Sequence, residues 1–111
     1  MNKIYQLLSL SQKGRNLISG EFAAKQAVLD NKAFLVIVSK EASENTKKLF
    51  RDKCNYRNIS IRIWGESSLL GKCLGKDYRV VIALTNEKLA TKILSMIDEH
   101  EPIPGQSLIE K

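Results

Sequence analysis

The chain has few of the residues on which enzymes and metal proteins depend. Its 111 residues include two cysteines and one histidine. Cys54 and Cys73 are too few and too far apart for a disulfide framework or a CxxC pair, so we expect reduced thiols. A catalytic cysteine–histidine pair would need His100, which no recognisable motif connects to either thiol. One histidine and two distant thiols also do not match the ligand spacing of a zinc site. We therefore expect no metal and no cofactor.

Long apolar runs are also missing. The longest, at residues 34–38 and 80–84, have the length of a strand and not the roughly 20 residues that cross a membrane. The first residues contain no sustained apolar core, so no secretion signal is expected. These absences predict a cytoplasmic protein with no membrane partner.

The nearest approach to a nucleotide-hydrolysing motif fails on two counts. From Gly65 to the Gly71-Lys72 pair there is one residue too many for a Walker loop. Cys73 stands where such a loop needs a magnesium-binding serine or threonine. Because the sequence also shows no nucleophile–base pair and no paired acids at usable spacing, we predict a protein that is not an enzyme.

Positive charge is what the sequence has in excess. The chain carries 18 Lys and Arg against 12 Asp and Glu, a net charge of +6. Residues 1–83 account for +8 and residues 84–111 for −2. A basic folded body favours an anionic partner, and nucleic acid is the commonest such partner for a small domain.

Hydrophobic periodicity and turn residues predict five helices that alternate with four strands. The helices are predicted at residues 2–12, 21–30, 43–56, 66–74 and 86–99, with Ser43 and Asn86 as caps, and the strands at residues 16–19, 33–38, 59–63 and 79–84. The apolar run at 33–38 is typical of a central strand, and the alternation at 59–63 favours a strand nearer the edge. The third helix is predicted to turn four residues toward the core: Thr46, Leu49, Phe50 and Cys54.

This alternation predicts an α/β fold, a three-layer α/β/α sandwich with a central mixed four-stranded sheet. Residues 1–99 are expected to form one domain. Pro102, Pro104 and Gly105 prevent any further helix, which leaves a tail at residues 100–111. Whether this tail is disordered or binds a partner stays open.

Two neighbouring segments are suited to holding phosphate. The loop that follows the fourth helix carries Lys72, Lys76 and Arg79. The second helix begins after Gly20, and its exposed amide groups are expected to point toward the basic segment at 13–15.

Four segments give the chain a family resemblance. Residues 13–21 (KGRNLISGE), 41–46 (EASENT), 52–54 (DKC) and 70–76 (LGKCLGK) strongly resemble the bacterial YlxQ-type branch of the kink-turn RNA-binding superfamily named for ribosomal protein L-seven-Ae. The match covers roughly residues 2–99. It implies an α/β/α sandwich that docks RNA through the start of the second helix and the loop before the last strand.

The resemblance also shows where this chain departs from the family. The Asn and Glu of the family signature, which bind guanine edges in sheared G·A pairs, are replaced by Phe22 and Ala23. Gln26 holds the place of the signature lysine, and Lys25 comes one residue earlier. The apolar residue that the family places after the loop glycine is Lys76 here. Since a bidentate base contact contributes about 1–3 kcal/mol of discrimination, specific kink-turn affinity is expected to be reduced.

The predicted function is therefore non-catalytic binding of structured RNA, kink-turn-like or ribosomal, at a basic edge, with ribosome association as one setting. Tyr78 is expected either to stack on a base or to support the loop from a partly buried position. The alternative function is a protein–protein adaptor, in which Phe22, Ala23 and Ala24, exposed at the helix start, would form an apolar docking patch. Otherwise Phe22 lies in the core and Ala23 only sustains the helix. The predicted RNA contacts are Lys13, Arg15, Gly20, Glu21, Phe22, Lys25, Gln26, Lys72, Gly75, Lys76, Tyr78 and Arg79.

Overall fold

A computed structural model of the chain describes residues 2–100. Within them the helices are α1 (Lys3–Lys13), α2 (Glu21–Leu29), α3 (Glu44–Tyr56), α4 (Ser67–Cys73) and α5 (Glu87–His100), and the strands are β1 (Leu17–Ser19), β2 (Leu35–Val38), β3 (Ser60–Ile63) and β4 (Val81–Leu84). The helix α5 includes His100, one residue beyond its expected end, and the rest of the predicted tail lies outside the described residues. No helix in the described part is long and apolar enough to span a bilayer.

The four strands form one mixed sheet in the order β1-β4-β2-β3. The strands β2 and β3 are parallel, whereas β4 pairs antiparallel with both β1 and β2. The predicted α/β sandwich with a mixed four-stranded sheet is therefore confirmed, with β2 inside the sheet and β3 at its edge.

The strand directions define two ends of the sheet. We call the upper end the edge where β1, β2 and β3 finish and β4 begins, and the lower end the opposite edge. At the upper end Val38 pairs with Val81, and at the lower end Leu17 and Leu35 both pair with Leu84. Loops that follow β1, β2 and β3 consequently meet the loop that precedes β4.

Helices cover both faces of the sheet. On one face α1, α4 and α5 pack over residues that include Leu35, Ile37 and Ile82. On the other face α2 and α3 pack over residues that include Val36 and Ala83. Because successive strand residues point to opposite faces, the continuous apolar runs of β2 and β4 supply both cores.

Side chains at the helix starts fix where three helices begin. Asn2 Oδ1 accepts from the Ile4 amide at 2.6 Å, Ser43 Oγ from the Thr46 amide at 3.1 Å, and Asn86 Oδ1 from the Leu89 amide at 2.9 Å. Each bond satisfies an amide that has no acceptor inside its own helix. The caps expected at Ser43 and Asn86 are therefore present.

Two details of the helix and strand faces differ from expectation. Leu49, assigned to the core stripe of α3, is 39% exposed, whereas the neighbouring Lys47 side chain is only 15% exposed. Fewer residues of α3 are therefore buried than predicted, and the buried ones are Phe50 and Cys54. The strand β3 is partly exposed at all its residues instead of alternating, because it forms the sheet edge.

Gly71 in α4 is required by a close backbone approach. A β carbon at this position would lie 2.5 Å from the Tyr78 amide nitrogen and 2.7 Å from its carbonyl carbon. Backbone atoms cannot move aside as a flexible side chain can, so the loop before β4 can rest here only against glycine.

We predict that Gly71→Ala lowers the free energy of unfolding by about 1–3 kcal/mol or more, because the new methyl group would displace the Tyr78 backbone. Gly14→Ala is the matched control: Gly14 has φ −85°, and the nearest atom to an added β carbon belongs to the Asn16 side chain. This control should change stability by no more than about 0.5 kcal/mol. Equal losses in urea denaturation would contradict the close contact.

The two thiols are buried on opposite faces of the sheet. Cys54 belongs to the α2–α3 side and Cys73 to the α1–α4–α5 side. Burial raises the pKa of each thiol to about 11, and the charge of Arg57 opposes the shift at Cys54. Both side chains therefore stay protonated near neutral pH.

We predict that neither thiol reacts rapidly with a disulfide reagent at pH 8 in the folded protein, whereas both react in urea. Since an unfolded cysteine has a pKa of about 8.5, unfolding releases protons above that pH. Below about pH 8.5 the thiols should therefore make their full contribution to the free energy of unfolding. This contribution should fall as the pH rises toward 11. Rapid labelling of the native protein at pH 8 would contradict the burial.

Candidate nucleic-acid interface

The upper end brings the start of α2 against the loop before β4. The Gly20 amide donates to the Val81 carbonyl at 2.8 Å, continuing the β1–β4 ladder by one residue. Arg79 Nε donates to Ser19 Oγ at 3.0 Å, so the guanidinium lies beside the first turn of the helix. A groove of about 270 Å³ separates the two segments, and it is lined by Gly20, Glu21, Tyr78, Arg79 and Val80.

The first turn of α2 presents amide groups at this groove. Gly20 is the N-cap residue, with φ 104° and ψ 147°, and no described side chain caps the helix there. The first helical hydrogen bond runs from the Ala24 amide to the Gly20 carbonyl, so the amides of residues 21–23 have no acceptor within the helix. Free amides and the positive end of the helix dipole favour an anion at this position.

The loop before β4 is held by its backbone and exposes its side chains. Gly75 adopts φ 75°, and the Lys76 amide then donates to the Gly71 carbonyl at 2.8 Å. The Tyr78 backbone rests on Gly71, but its side chain is 60% exposed. The Tyr78 ring is therefore not a partly buried support for the loop. It is accessible for stacking on a base.

Arg79 is oriented by the protein and keeps donors available. Its Nε bonds to Ser19 Oγ, and its Nη1 donates to the Tyr78 carbonyl at 2.9 Å. These contacts use two of the five N–H donors of a guanidinium. An arginine fixed in this way loses less side-chain entropy on meeting a phosphate than a freely rotating lysine does.

A buried serine connects this loop to the rest of the upper end. Ser39, fully buried, donates through Oγ to the Gly65 carbonyl and accepts from Ser67 Oγ at 2.8 Å. The Ser67 carbonyl in turn accepts from the Arg79 amide at 3.0 Å, and the Ser67 amide donates to Glu41 Oε1 at 2.8 Å. The sequence analysis missed these residues, since their partners lie 26 and 28 positions away and no motif connects them.

Phe22 and the rest of the α2 signature segment lie next to the groove. Phe22 is 74% exposed, which excludes the alternative that it lies in the core. Ala24 is buried, so its expected place in an exposed apolar patch is wrong, because this side of α2 packs on the sheet. Lys25 and Gln26 are partly exposed. A second groove, of about 250 Å³, lies between α2 and α3 and is lined by Glu21, Phe22, Lys25, Leu49 and Phe50.

Lys72 and Lys76 are exposed at the end of α4 and in the loop that follows it. Lys72 lies in the last turn of α4 and Lys76 follows the turn at Gly75. Asp77, also exposed, reduces the net charge of residues 72–79 to +2. The loop is therefore basic but not uniformly so.

Lys13 and Arg15 lie at the opposite end of the sheet from this groove. They are exposed in the turn between α1 and β1, at the lower end, where the Asn16 carbonyl accepts from the Thr85 amide. Arg15 adopts φ 63° in the turn that leads into β1. The whole of β1 lies between this turn and the start of α2. The expectation that the α2 amides point toward residues 13–15 is therefore wrong, because the intervening strand puts them at opposite ends of the sheet.

The described residues offer no metal-binding cluster at this site. Among residues 2–100 no group of three or more His, Cys, Asp or Glu side chains is arranged to hold a metal ion. What the upper end offers chemically is free backbone amides, an oriented guanidinium, two lysines and exposed aromatic rings. These groups bind phosphate and stack on bases.

Comparison with known proteins agrees with this geometry. Residues 2–95 match the model of the "Ribosomal protein L7Ae/L30e/S12e/Gadd45 family". The chain is 35% identical over 94 residues to the RNA-binding protein YlxQ of Bacillus subtilis, covering 85% of this chain and 94% of that protein. It is 30% identical over 97 residues to the RNA-binding protein YlxQ of Enterococcus faecium, covering 86% and 92%.

Solved structures show the same fold. A protein of unknown function from Bacillus halodurans C superposes with a TM-score of 0.85 at 35% identity, over 88% of this chain and 99% of that one. The Giardia lamblia 15.5kD RNA binding protein superposes with a TM-score of 0.73 at 14% identity, over 89% and 91%, and so supports the fold alone. The resemblance found in the sequence is thus confirmed, and the chain belongs to the ribosomal protein L7Ae/L30e/S12e/Gadd45 family.

Proposed function

We propose that this chain is a small, non-catalytic RNA-binding protein that holds structured RNA at its upper end. The observation that carries the proposal is the groove in which the uncapped start of α2 faces Tyr78 and Arg79. Membership of the family and the RNA-binding names of the two YlxQ relatives support RNA as the anion.

Phosphate contacts provide most of the binding in this proposal. The amides of residues 21–23 and the Arg79 guanidinium bind phosphate oxygens from the two sides of the groove, and Lys72 and Lys76 extend the contact along the backbone. Tyr78, with its ring exposed, stacks on a base that has left the helix. Such contacts recognise the path of an RNA backbone more than its sequence.

The change in the α2 signature segment limits base discrimination. Phe22 and Ala23 offer no hydrogen bond to a guanine edge, and the partly exposed Gln26 retains one amide group. We therefore propose binding of kink-turn-like or ribosomal RNA by shape, with a weakened requirement for sheared G·A pairs. Association with ribosomes in the cytoplasm is the setting that this function suggests.

A non-catalytic role agrees with the chemistry of the described residues. Burial raises the pKa of both thiols to about 11, which leaves them protonated and poor nucleophiles. The alternative function is a protein–protein adaptor on the same scaffold. Phe22, 74% exposed, is the observation that favours it, since exposed apolar side chains frequently mark protein contacts.

We predict that Lys76→Ala/Arg79→Ala lowers RNA affinity and reduces the magnitude of the slope of log K against log salt by about 1.4 to 1.8, because each lost phosphate contact removes about 0.7–0.9. Lys13→Ala/Arg15→Ala removes the same two residue types at the lower end and should have the smaller effect. Filter binding over a series of salt concentrations measures both. Equal losses in the two variants would show that only overall charge matters.

We predict that the protein prefers a kink-turn RNA over a plain duplex DNA, and that replacing the G·A pairs of that RNA weakens binding by less than tenfold. The reason is that Phe22 and Ala23 cannot make the guanine contacts, each of which contributes about 1–3 kcal/mol elsewhere. Fluorescence anisotropy at two salt concentrations measures the three affinities. A hundredfold loss without the G·A pairs would contradict shape-based recognition, and equal binding to all three nucleic acids would contradict RNA selectivity.

A further inference from the structure

The groove between α2 and α3 has no role in the phosphate contacts described above. It measures about 250 Å³ and is lined by Glu21, Phe22, Lys25, Leu49 and Phe50. Phe50 is buried and forms its floor, while Phe22 and Leu49 are 74% and 39% exposed. An apolar surface therefore lines a groove that is open to solvent.

Two features connect this groove to nucleic acid. Glu21 lines both this groove and the one that holds Tyr78 and Arg79, so the two are adjacent along the first turn of α2. Lys25 follows Phe22 by three positions on the helix, which places the two side chains on neighbouring positions of one face. An aromatic ring beside a cation is the pairing that protein surfaces use for a base and its phosphate.

We propose that this groove is a second base subsite, which takes one unpaired nucleotide of the RNA bound at the upper end. The base stacks on the Phe22 ring and against Leu49, and its phosphate lies at Lys25. Because this subsite extends the RNA site, the inference depends on the proposed function.

The position of Lys25 and the continuity with the proposed RNA site favour a nucleotide over an apolar protein segment as the occupant. Lys25 forms part of the wall, and the groove continues into the proposed RNA site through Glu21. The Glu21 carboxylate repels phosphate, so the strand passes this side chain with a base, and its phosphates lie at the α2 amides, Arg79 and Lys25. The RNA favoured by this arrangement has an unpaired nucleotide next to the segment bound at the α2 start.

Phe22→Leu tests the subsite, because leucine keeps an apolar side chain but removes the π face. We expect it to weaken binding of an RNA with an unpaired nucleotide by about tenfold and to leave a fully paired RNA of the same length unchanged. Phe22→Tyr should restore the affinity. Tyr56→Leu is the matched control, since Tyr56 is 84% exposed at the far end of α3.

A fluorescent base separates stacking from simple apolar contact. With 2-aminopurine at the unpaired position, we expect the wild-type protein and Phe22→Tyr to change the fluorescence and Phe22→Leu to leave it nearly unchanged. Wild-type affinity and fluorescence in Phe22→Leu, while Lys76→Ala/Arg79→Ala still weakens binding, would overturn the subsite and leave the proposed function intact. Failure of the wild-type protein to bind either RNA would overturn both.

Discussion

The short pairing of β1 with β4 is the constraint on which the candidate site depends. Ser19 lies opposite Ile82, and the Gly20 amide bonds to the Val81 carbonyl at 2.8 Å. Ser19 and Arg79, 60 positions apart in the chain, are thereby brought within a hydrogen bond of 3.0 Å. Without this ladder the helix start and the loop before β4 would be unrelated surfaces, so a three-residue edge strand positions the whole groove.

The same sheet holds two pairs of predicted RNA-contacting cations at opposite ends. Lys76 and Arg79 lie at the upper end, and Lys13 and Arg15 lie beyond the lower end, separated by at least the length of a strand, roughly 10 Å. A net charge of +6 therefore attracts RNA from many directions without selecting an orientation. Orientation must come from groups that occur at one end, namely the free amides of α2, the fixed guanidinium and the exposed rings.

Much of the fold could be predicted because local signals and tertiary structure agree. The continuous apolar runs of β2 and β4 indicate strands covered on both faces, and the caps at Ser43 and Asn86 follow from side-chain chemistry within three residues. The exposure of Leu49 could not be predicted in this way, since periodicity gives the direction of a helix face but not how far the neighbouring helix covers it. The Ser39–Ser67 bond joins positions 28 apart and depends on the register of the sheet. For the same reason the sequence does not locate Lys13 and Arg15 correctly: they are close to Gly20 along the chain, but a strand separates them from it in space.

The central claim, that RNA is held between the start of α2 and the loop before β4, is tested most directly by mapping the contact on the protein. Amide chemical shifts recorded by NMR during a titration with a kink-turn RNA would locate it. We expect saturable changes concentrated at residues 20–26 and 75–80, with small changes at residues 13–16. Changes concentrated at residues 13–16 and the other lower-end loops, with the α2 start unaffected, would contradict it.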